Sequence, residues 1–366
     1  MQLNIKKLSV YYRNQLVGLL AETSRNKFGF QYDETWLANG FSISPMSLPL
    51  QPQIFYSSSN YFEGLFGVFY DSLPDGWGAL LMQRKLAKMG FDYSKLSPLV
   101  KLSLVGKQGL GALTYQPCQD EQVSNNKLNL DDLAHDAMVI QDDEGELIDL
   151  NKMYALGGSS GGARPKIHAL VDDQEWIIKF PHTSDPKDIG AKEYQLNLLA
   201  KKVGIRVPEV RLFPAKEGTG YFGSLRFDRS QDQRIHTIAL SSLLETTHRI
   251  PNLDYAHAFE VISLISVNQD DQYELFRRMY FNVLVQNKDD HGKNMSFIYD
   301  ETKKGYGLAP AYDITSTPNK FEHEMTILGN GKPTKDDVKK IAIKFGLKKA
   351  KTEEIVKTIE TKIKSK

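Results

Sequence analysis

Early in the chain, apolar side chains alternate with polar ones: Leu8, Val10 and Tyr12, then Phe28, Phe30 and Tyr32. A period of two puts each trio on one face of a half-buried strand. After the turn Leu73-Pro74-Asp75-Gly76 the period changes. Ala79, Met82 and Leu86, widened by Trp77, Leu80 and Leu81, follow helical spacing until Met89-Gly90 ends the run. Short strands with one inserted helix are the expectation for the first hundred residues. Residues 106–115 read as a tight glycine turn entering a strand, and 130–140 as a helix with Asp131 and Asp132 in its first turn. Stretches 175–181, 207–213 and 221–229 read as strands, while Leu196, Leu199 and Ala200 form a helical stripe. Helical spacing dominates from residue 241, through Phe259, Ile262, Leu264 and Ile265, then Leu275, Phe276 and Met279. The tail sets Ile341, Ile343, Phe345, Ile355, Ile359 and Ile363 among charges, as in one or two solvated amphipathic helices.

The pattern describes an α+β chain, β-rich at its start and mainly helical at its end. At 366 residues it exceeds the size at which one core stops growing, so two lobes or domains are expected. The polar, patternless stretch 116–129 is the candidate boundary, giving an N-terminal module over 1–118, a lobe over 130–230 and a helical lobe over 231–366. Hydrophobic content of 41% with 25% charge is ordinary for a globular protein. With 46 basic and 45 acidic residues there is no global pull toward nucleic acid or anionic membrane. Cys118 is the single cysteine, so no intrachain disulfide forms. The first residues lack the apolar core of a signal peptide and no apolar run reaches membrane-spanning length, so a cytoplasmic protein is expected.

The chemistry concentrates in 286–296, Gln-Asn-Lys-Asp-Asp-His-Gly-Lys-Asn-Met-Ser, between two apolar segments. Asp289 and Asn294 are five positions apart, the Asp-x-x-x-x-Asn spacing of phosphotransferase catalytic loops, in which Asp orients the acceptor hydroxyl and Asn holds a metal. His291 and Lys293 would support that loop. Read alone, such a loop is most often a solvated turn, and Asp290 with His291 could equally be imagined as ligands of a metallohydrolase. Downstream, Asp313 is an isolated carboxylate after an apolar approach, suited to a second magnesium ligand.

Upstream, 156–166 is a glycine loop, Leu-Gly-Gly-Ser-Ser-Gly-Gly-Ala-Arg-Pro-Lys, whose amides could cradle an anion. It is not a Walker A sequence, and a flexible linker is the plain alternative. Lys179 follows within an apolar strand pattern, and Glu193 within a helical one. Loop, strand lysine and helix glutamate is the order in which kinases build a nucleotide lobe. A strand ending near Leu225 and Phe227 would then face the adenine with its backbone.

These residues carry a resemblance to the HipA family of serine/threonine kinases, toxins of bacterial type II toxin-antitoxin pairs. It runs through Leu73-Pro74-Asp75-Gly76, Gly109-Leu110-Gly111-Ala112-Leu113, Gly158 to Lys166, Lys179-Phe180-Pro181, Arg226-Phe227-Asp228-Arg229, Asp289 to Asn294 and Tyr312-Asp313-Ile314. The resemblance implies a bilobal kinase-like fold using ATP and Mg2+, with Asp289 catalytic, Asn294 and Asp313 on the metal, and Lys179 on the phosphates. Ser160, Gly161, Gly162 and Ala163 would cover the nucleotide. Ser159, seven positions before Lys166, resembles the serine that family members phosphorylate on themselves to drive the loop out, with Ser160 as a rival acceptor. The resemblance further implies a HipB-like helix-turn-helix antitoxin, contact with DNA only through that antitoxin, and an aminoacyl-tRNA synthetase as protein substrate. A small-molecule kinase of the aminoglycoside or choline type, and a kinase-like partner or co-repressor without transferase activity, are the alternatives.

Overall fold

The two alternating trios fall where period two puts them, in β1 (Lys7–Tyr12) and β3 (Lys27–Tyr32), with Leu8, Val10, Phe28 and Phe30 buried. With β2 (Gln15–Ser24), β4 (Ile54–Tyr56) and β5 (Leu113–Gln116) they make an antiparallel sheet of order β4-β3-β2-β1-β5. This is a computed structural model describing residues 2–24, 27–58, 60–119, 128–142, 148–230, 233–247 and 249–365. The first hundred residues hold more helix than their periodicity suggested: α1 (Glu34–Asn39), α2 (Gly67–Tyr70), α3 (Gly76–Lys88) and α4 (Pro98–Val105). In α1 and α2 the helices are too short to repeat a stripe. Seven of the eight residues of α4 are buried, so no polar face betrays its period. Its start is nonetheless written locally, in Pro98 at the first position and Ser97 Oγ accepting from Val100 N at 3.3 Å.

A second sheet joins β6 (Lys166–Val171), β7 (Gln174–Lys179), β8 (Val210–Phe213) and β9 (Tyr221–Leu225) in the order β6-β7-β9-β8. Helices α5 (Leu130–Gln141) and α6 (Leu150–Gly157) supply Leu133, Ala137 and Met153 to a core with Ile167, Trp176 and Ile178 of that sheet. Trp77 and Leu81 of α3 belong to the same core, and the Trp77 indole donates to Lys166 O at 3.0 Å. Of the polar stretch 116–129, residues 120–127 lie outside the described ones. Strand β8 starts later than its apolar run, after Pro208, which has no N–H to give a ladder. Strand β9 stops at Leu225 because Arg226 turns to hold Asp228 with two bonds, at 2.9 and 2.7 Å, leading into the hairpin β10 (Arg229–Ser230) and β11 (Gln233–Arg234).

Apart from Val210, the first residue of β8, all of this lies in one compact unit, comprising 1–192, 211–236 and 243–245; the rest of the chain forms the other. The division passes through α7 (Ile189–Lys202), whose Leu196, Leu199 and Ala200 are buried. The second unit contains β12 (Thr237–Ala239), which leads into α8 (Leu240–Leu243), and β13 (Leu253–Asp254), which leads into α9 (Tyr255–Ile265) and α10 (Asp271–Val285). Strands β14 (Ser296–Asp300) and β15 (Gly305–Leu308) form a sheet of order β12-β14-β15, while β16 (Met325–Thr326) pairs with β13 in parallel. The tail is two helices, α11 (Lys335–Lys344) and α12 (Lys349–Lys364); Ile341, Ile355 and Ile359 are buried, whereas Ile343 faces outward at 78% exposure.

Candidate active site

Helix α10 delivers the polar loop. It ends with Gln286 in a left-handed conformation at φ 54, a helix-stopping position usually given to glycine. Asn287 then bonds back to Asn282 through both its amide N–H, at 2.9 Å, and its side chain, at 3.1 Å. The two acids that follow have opposite fates. Asp290 is buried and accepts from Tyr255 Oη and His323 Nδ1, each at 2.8 Å, and from Glu324 N at 3.1 Å. Burial, with the Asp290 charge behind it, raises the Tyr255 phenol well above its ordinary range. Asp290 is thus the anchor of the loop, which removes it from the metal-ligand role its sequence also allowed. Asp289 is a third exposed, and its carboxylate meets the Lys320 ammonium.

Asn294 closes the loop by donating from Nδ2 to Asp289 O at 2.8 Å, while its own N–H reaches His291 O at 2.9 Å. This assigns the Asn294 amide orientation and leaves Oδ1 as its free-facing acceptor chemistry. At Gly292 a Cβ would stand 2.4 Å from a terminal methyl of Leu253, so a larger residue would require that side chain to shift. Lys293 contributes its carbonyl, which accepts from Tyr312 Oη at 2.7 Å.

A charge network seats the second carboxylate. Buried Asp271 accepts from Leu308 N and Ser266 Oγ, both at 2.6 Å, and buried Arg278 binds Glu274 at 2.9 Å and Ala309 O at 2.7 Å. Ala311 N donates to Arg206 O at 2.7 Å, fixing the approach to Asp313. Asp313 itself has φ 52, a left-handed backbone that aspartate tolerates better than most side-chain-bearing residues. Asn294 and Asp313 line one recess, with Arg278, Asn282 and Asp290 around it. Two hard oxygens are what magnesium takes from protein when phosphates and waters complete its octahedron, so the pair fits that ion. Among the described residues no three His, Cys, Asp or Glu side chains form a metal-holding group.

The glycine loop belongs to the first unit, between α6 and β6. It is folded down, with Ser159 and Ser160 buried. Ser160 Oγ donates to Gly157 O at 2.6 Å, and Ser159 Oγ lies 3.4 Å from His168 Nδ1. Burial, then the nearby Arg226 guanidinium, pushes that imidazole well below its usual range. The start of α3 holds the loop: Trp77 N donates to Gly162 O at 2.9 Å, and Gly162 N donates to the Asp75 carboxylate. Lys166 Nζ donates to Gly161 O, and Gly161, Gly162 and Ala163 form the outer turn. Lys179 ends β7, largely buried, with its ammonium 5.5 Å from the Phe222 ring centre. Leu225 pairs with Trp176 at the end of β9, and Phe227 lies in the turn that follows. Glu193 is buried in α7, within the second unit. The structure therefore brings Asp289, Asn294 and Asp313 into one neighbourhood of the second unit, and the loop serines with Lys166 into another of the first. Sequence reasoning missed Lys320, His323 and Arg278, which stand alone in the chain with no motif about them.

An α+β frame in two units, one carrying a glycine loop and a strand lysine and the other an Asp-x-x-x-x-Asn loop with a second carboxylate, defines the protein-kinase-like class of folds. Residues 158–366 match the HipA-like C-terminal domain and residues 8–116 the HipA N-terminal domain, so the chain belongs to the HipA family. It is similar to two proteins of Sinorhizobium fredii: "Putative kinase Y4dM", 25% identical over 72% of this chain and 67% of that one, and "Putative kinase Y4mE", 24% identical over 86% and 78%. It shares a fold with HipA of Shewanella oneidensis MR-1, solved with HipB and operator DNA, at a TM-score of 0.75 and 18% identity over 98% of this chain and 89% of that one.

Proposed function

We propose that this chain is an ATP- and magnesium-dependent protein-serine/threonine kinase and the toxin of a toxin-antitoxin pair. The observation that carries the reading is the joining of Asn294 to the Asp289 carbonyl, with Asn294 and Asp313 lining one recess. In the reaction, the bond from the γ-phosphorus to the bridging oxygen of ATP breaks and its electron pair leaves with ADP. A bond from the same phosphorus to the acceptor hydroxyl oxygen forms, and the hydroxyl proton passes to the Asp289 carboxylate. Asn294 Oδ1 and the Asp313 carboxylate would hold magnesium, which neutralises phosphate charge when bound. Lys179 would pair with the phosphates, and Ser160 to Ala163 would cover them. The rest is positioning, the dominant contribution in phosphoryl transfer.

Substrate and partner follow the family: a host aminoacyl-tRNA synthetase as acceptor, and a HipB-like antitoxin that alone touches DNA. Ser159 is the proposed site of self-modification. A phosphate there adds nearly two negative charges to a buried hydroxyl, which the folded-down loop cannot keep. Incubating wild type, Asp289→Asn and Asp313→Ala with labelled ATP and magnesium tests the whole reading. Wild type should label itself, on Ser159 by peptide mapping, and both variants should lose at least about 100-fold of the rate. Equal labelling of all three would end the kinase proposal; phosphate mapped elsewhere would end the regulatory one.

A further inference from the structure

The catalytic loop is laced to the segment 316–325 along its length. Ser316 Oγ donates to Val285 O and Thr317 N to Gln286 O, both at 2.9 Å. Lys288 N donates to Thr317 Oγ1 at 2.9 Å, and Lys288 Nζ to the carbonyls of Pro318, at 3.0 Å, and Lys320, at 2.7 Å. Glu324 N returns to Lys288 O at 3.2 Å. Lys320 is therefore placed by its backbone before its side chain acts. That side chain reaches two carboxylates at once, Asp289 Oδ1 and, at 2.8 Å, Glu324 Oε1. Partial burial works against the ammonium, but the hydrogen bonds to Asp289 and then Glu324 outweigh it and raise the Lys320 pKa.

An exposed lysine-carboxylate pair usually contributes little, because ordering two long side chains offsets the attraction. Here the backbone bonds and the second carboxylate have already restricted Lys320, so less entropy remains to be lost. We propose that Lys320 is a positioning residue for phosphoryl transfer: clamped by Glu324, it fixes the Asp289 carboxylate in one rotamer to receive the acceptor hydroxyl. The inference rests on the phosphotransfer reading and adds to it the group that prepares Asp289. Phosphoryl transfer has a loose transition state and asks the aspartate chiefly for orientation, which is what the clamp supplies. The same contact could instead be a latch that keeps Asp289 from substrate, and the two roles predict opposite signs.

The test is ADP release and label transfer from magnesium-ATP by the full chain, measured near neutral pH for wild type, Lys320→Met, Lys320→Arg and Glu324→Gln. Positioning predicts that Lys320→Met lowers kcat about 10- to 100-fold with the KM for ATP within about twofold. Lys320→Arg should recover most of the rate, with Glu324→Gln intermediate. Thermal midpoints equal to wild type would exclude misfolding as the cause. Wild-type transfer with an unchanged or faster Lys320→Met, or with a Lys320→Arg no faster than Lys320→Met, overturns the inference alone. A wild-type chain that transfers nothing overturns the phosphotransfer reading beneath it.

Discussion

Glu245 shows how far burial can move one carboxyl. Both of its oxygens accept from Gly67 N, at 3.0 and 3.1 Å, and its backbone is left-handed at φ 51. Burial outweighs those bonds and pushes the carboxyl from its ordinary 4.5 up to about 7. A carboxyl raised in the folded state favours folding while protonated, so its contribution is complete below about pH 4.5 and is lost as pH rises through about 7. The ceiling on that loss is roughly 3 kcal/mol, from about 1.4 kcal/mol per pKa unit. Glu245→Gln should therefore match wild type near pH 4.5 and exceed it by about 1–3 kcal/mol at pH 8, read by denaturant melts at both pH values. A parallel pH dependence in the two proteins would rule this out. Neither this residue nor the division of labour between Asp289 and Asp290 was legible in the sequence. The two acids are adjacent, of one chemical type, and differ only in what the fold brings to them: two ring groups and two amides for Asp290, one ammonium for Asp289.

Among the elements, α3 is the one whose start bears on the glycine loop. A Cβ on Gly78 would stand 2.3 Å from Ser160 O, and one on Gly76, at φ 45, would stand 2.3 Å from Gly162 O. Propensity alone says that alanine inside a helix should stabilise it by about 1 kcal/mol over glycine. Gly78→Ala should do the reverse, lowering stability by about 1–3 kcal/mol and raising the KM for ATP roughly tenfold, because the loop backbone must give way. Melting curves and ATP titrations check it, and an alanine variant more stable than wild type would show that the loop is not seated on α3. The helix itself was plain in the sequence through its stripe and its Met89-Gly90 ending. Its contact with the loop was not, since Gly78 and Ser160 are brought together only by the fold. Strands of period two were equally legible, as were α9, α10 and the two tail helices. Short α1 and all-round-buried α4 were not, because amphipathic periodicity exists only where one face meets water.

For the molecule as a whole, the proposed toxin activity should be visible in cells. Expression of the wild type should arrest growth, Asp289→Asn should not, and a host protein should gain phosphate only with the former. Arrest by both chains would separate toxicity from transfer. The α+β character, the order of the candidate catalytic groups and most regular elements came from local spacing, because a helix stripe, a strand alternation and an Asp-x-x-x-x-Asn loop are written in neighbouring positions. The tertiary structure alone decided that Trp77 and Leu81 share a core with 130–180, that Arg278 seats the strand before Asp313, and that Lys320, thirty-one positions from Asp289, clamps its carboxylate. Burial and charge pairing depend on which distant residues meet, and chain spacing does not state which they are.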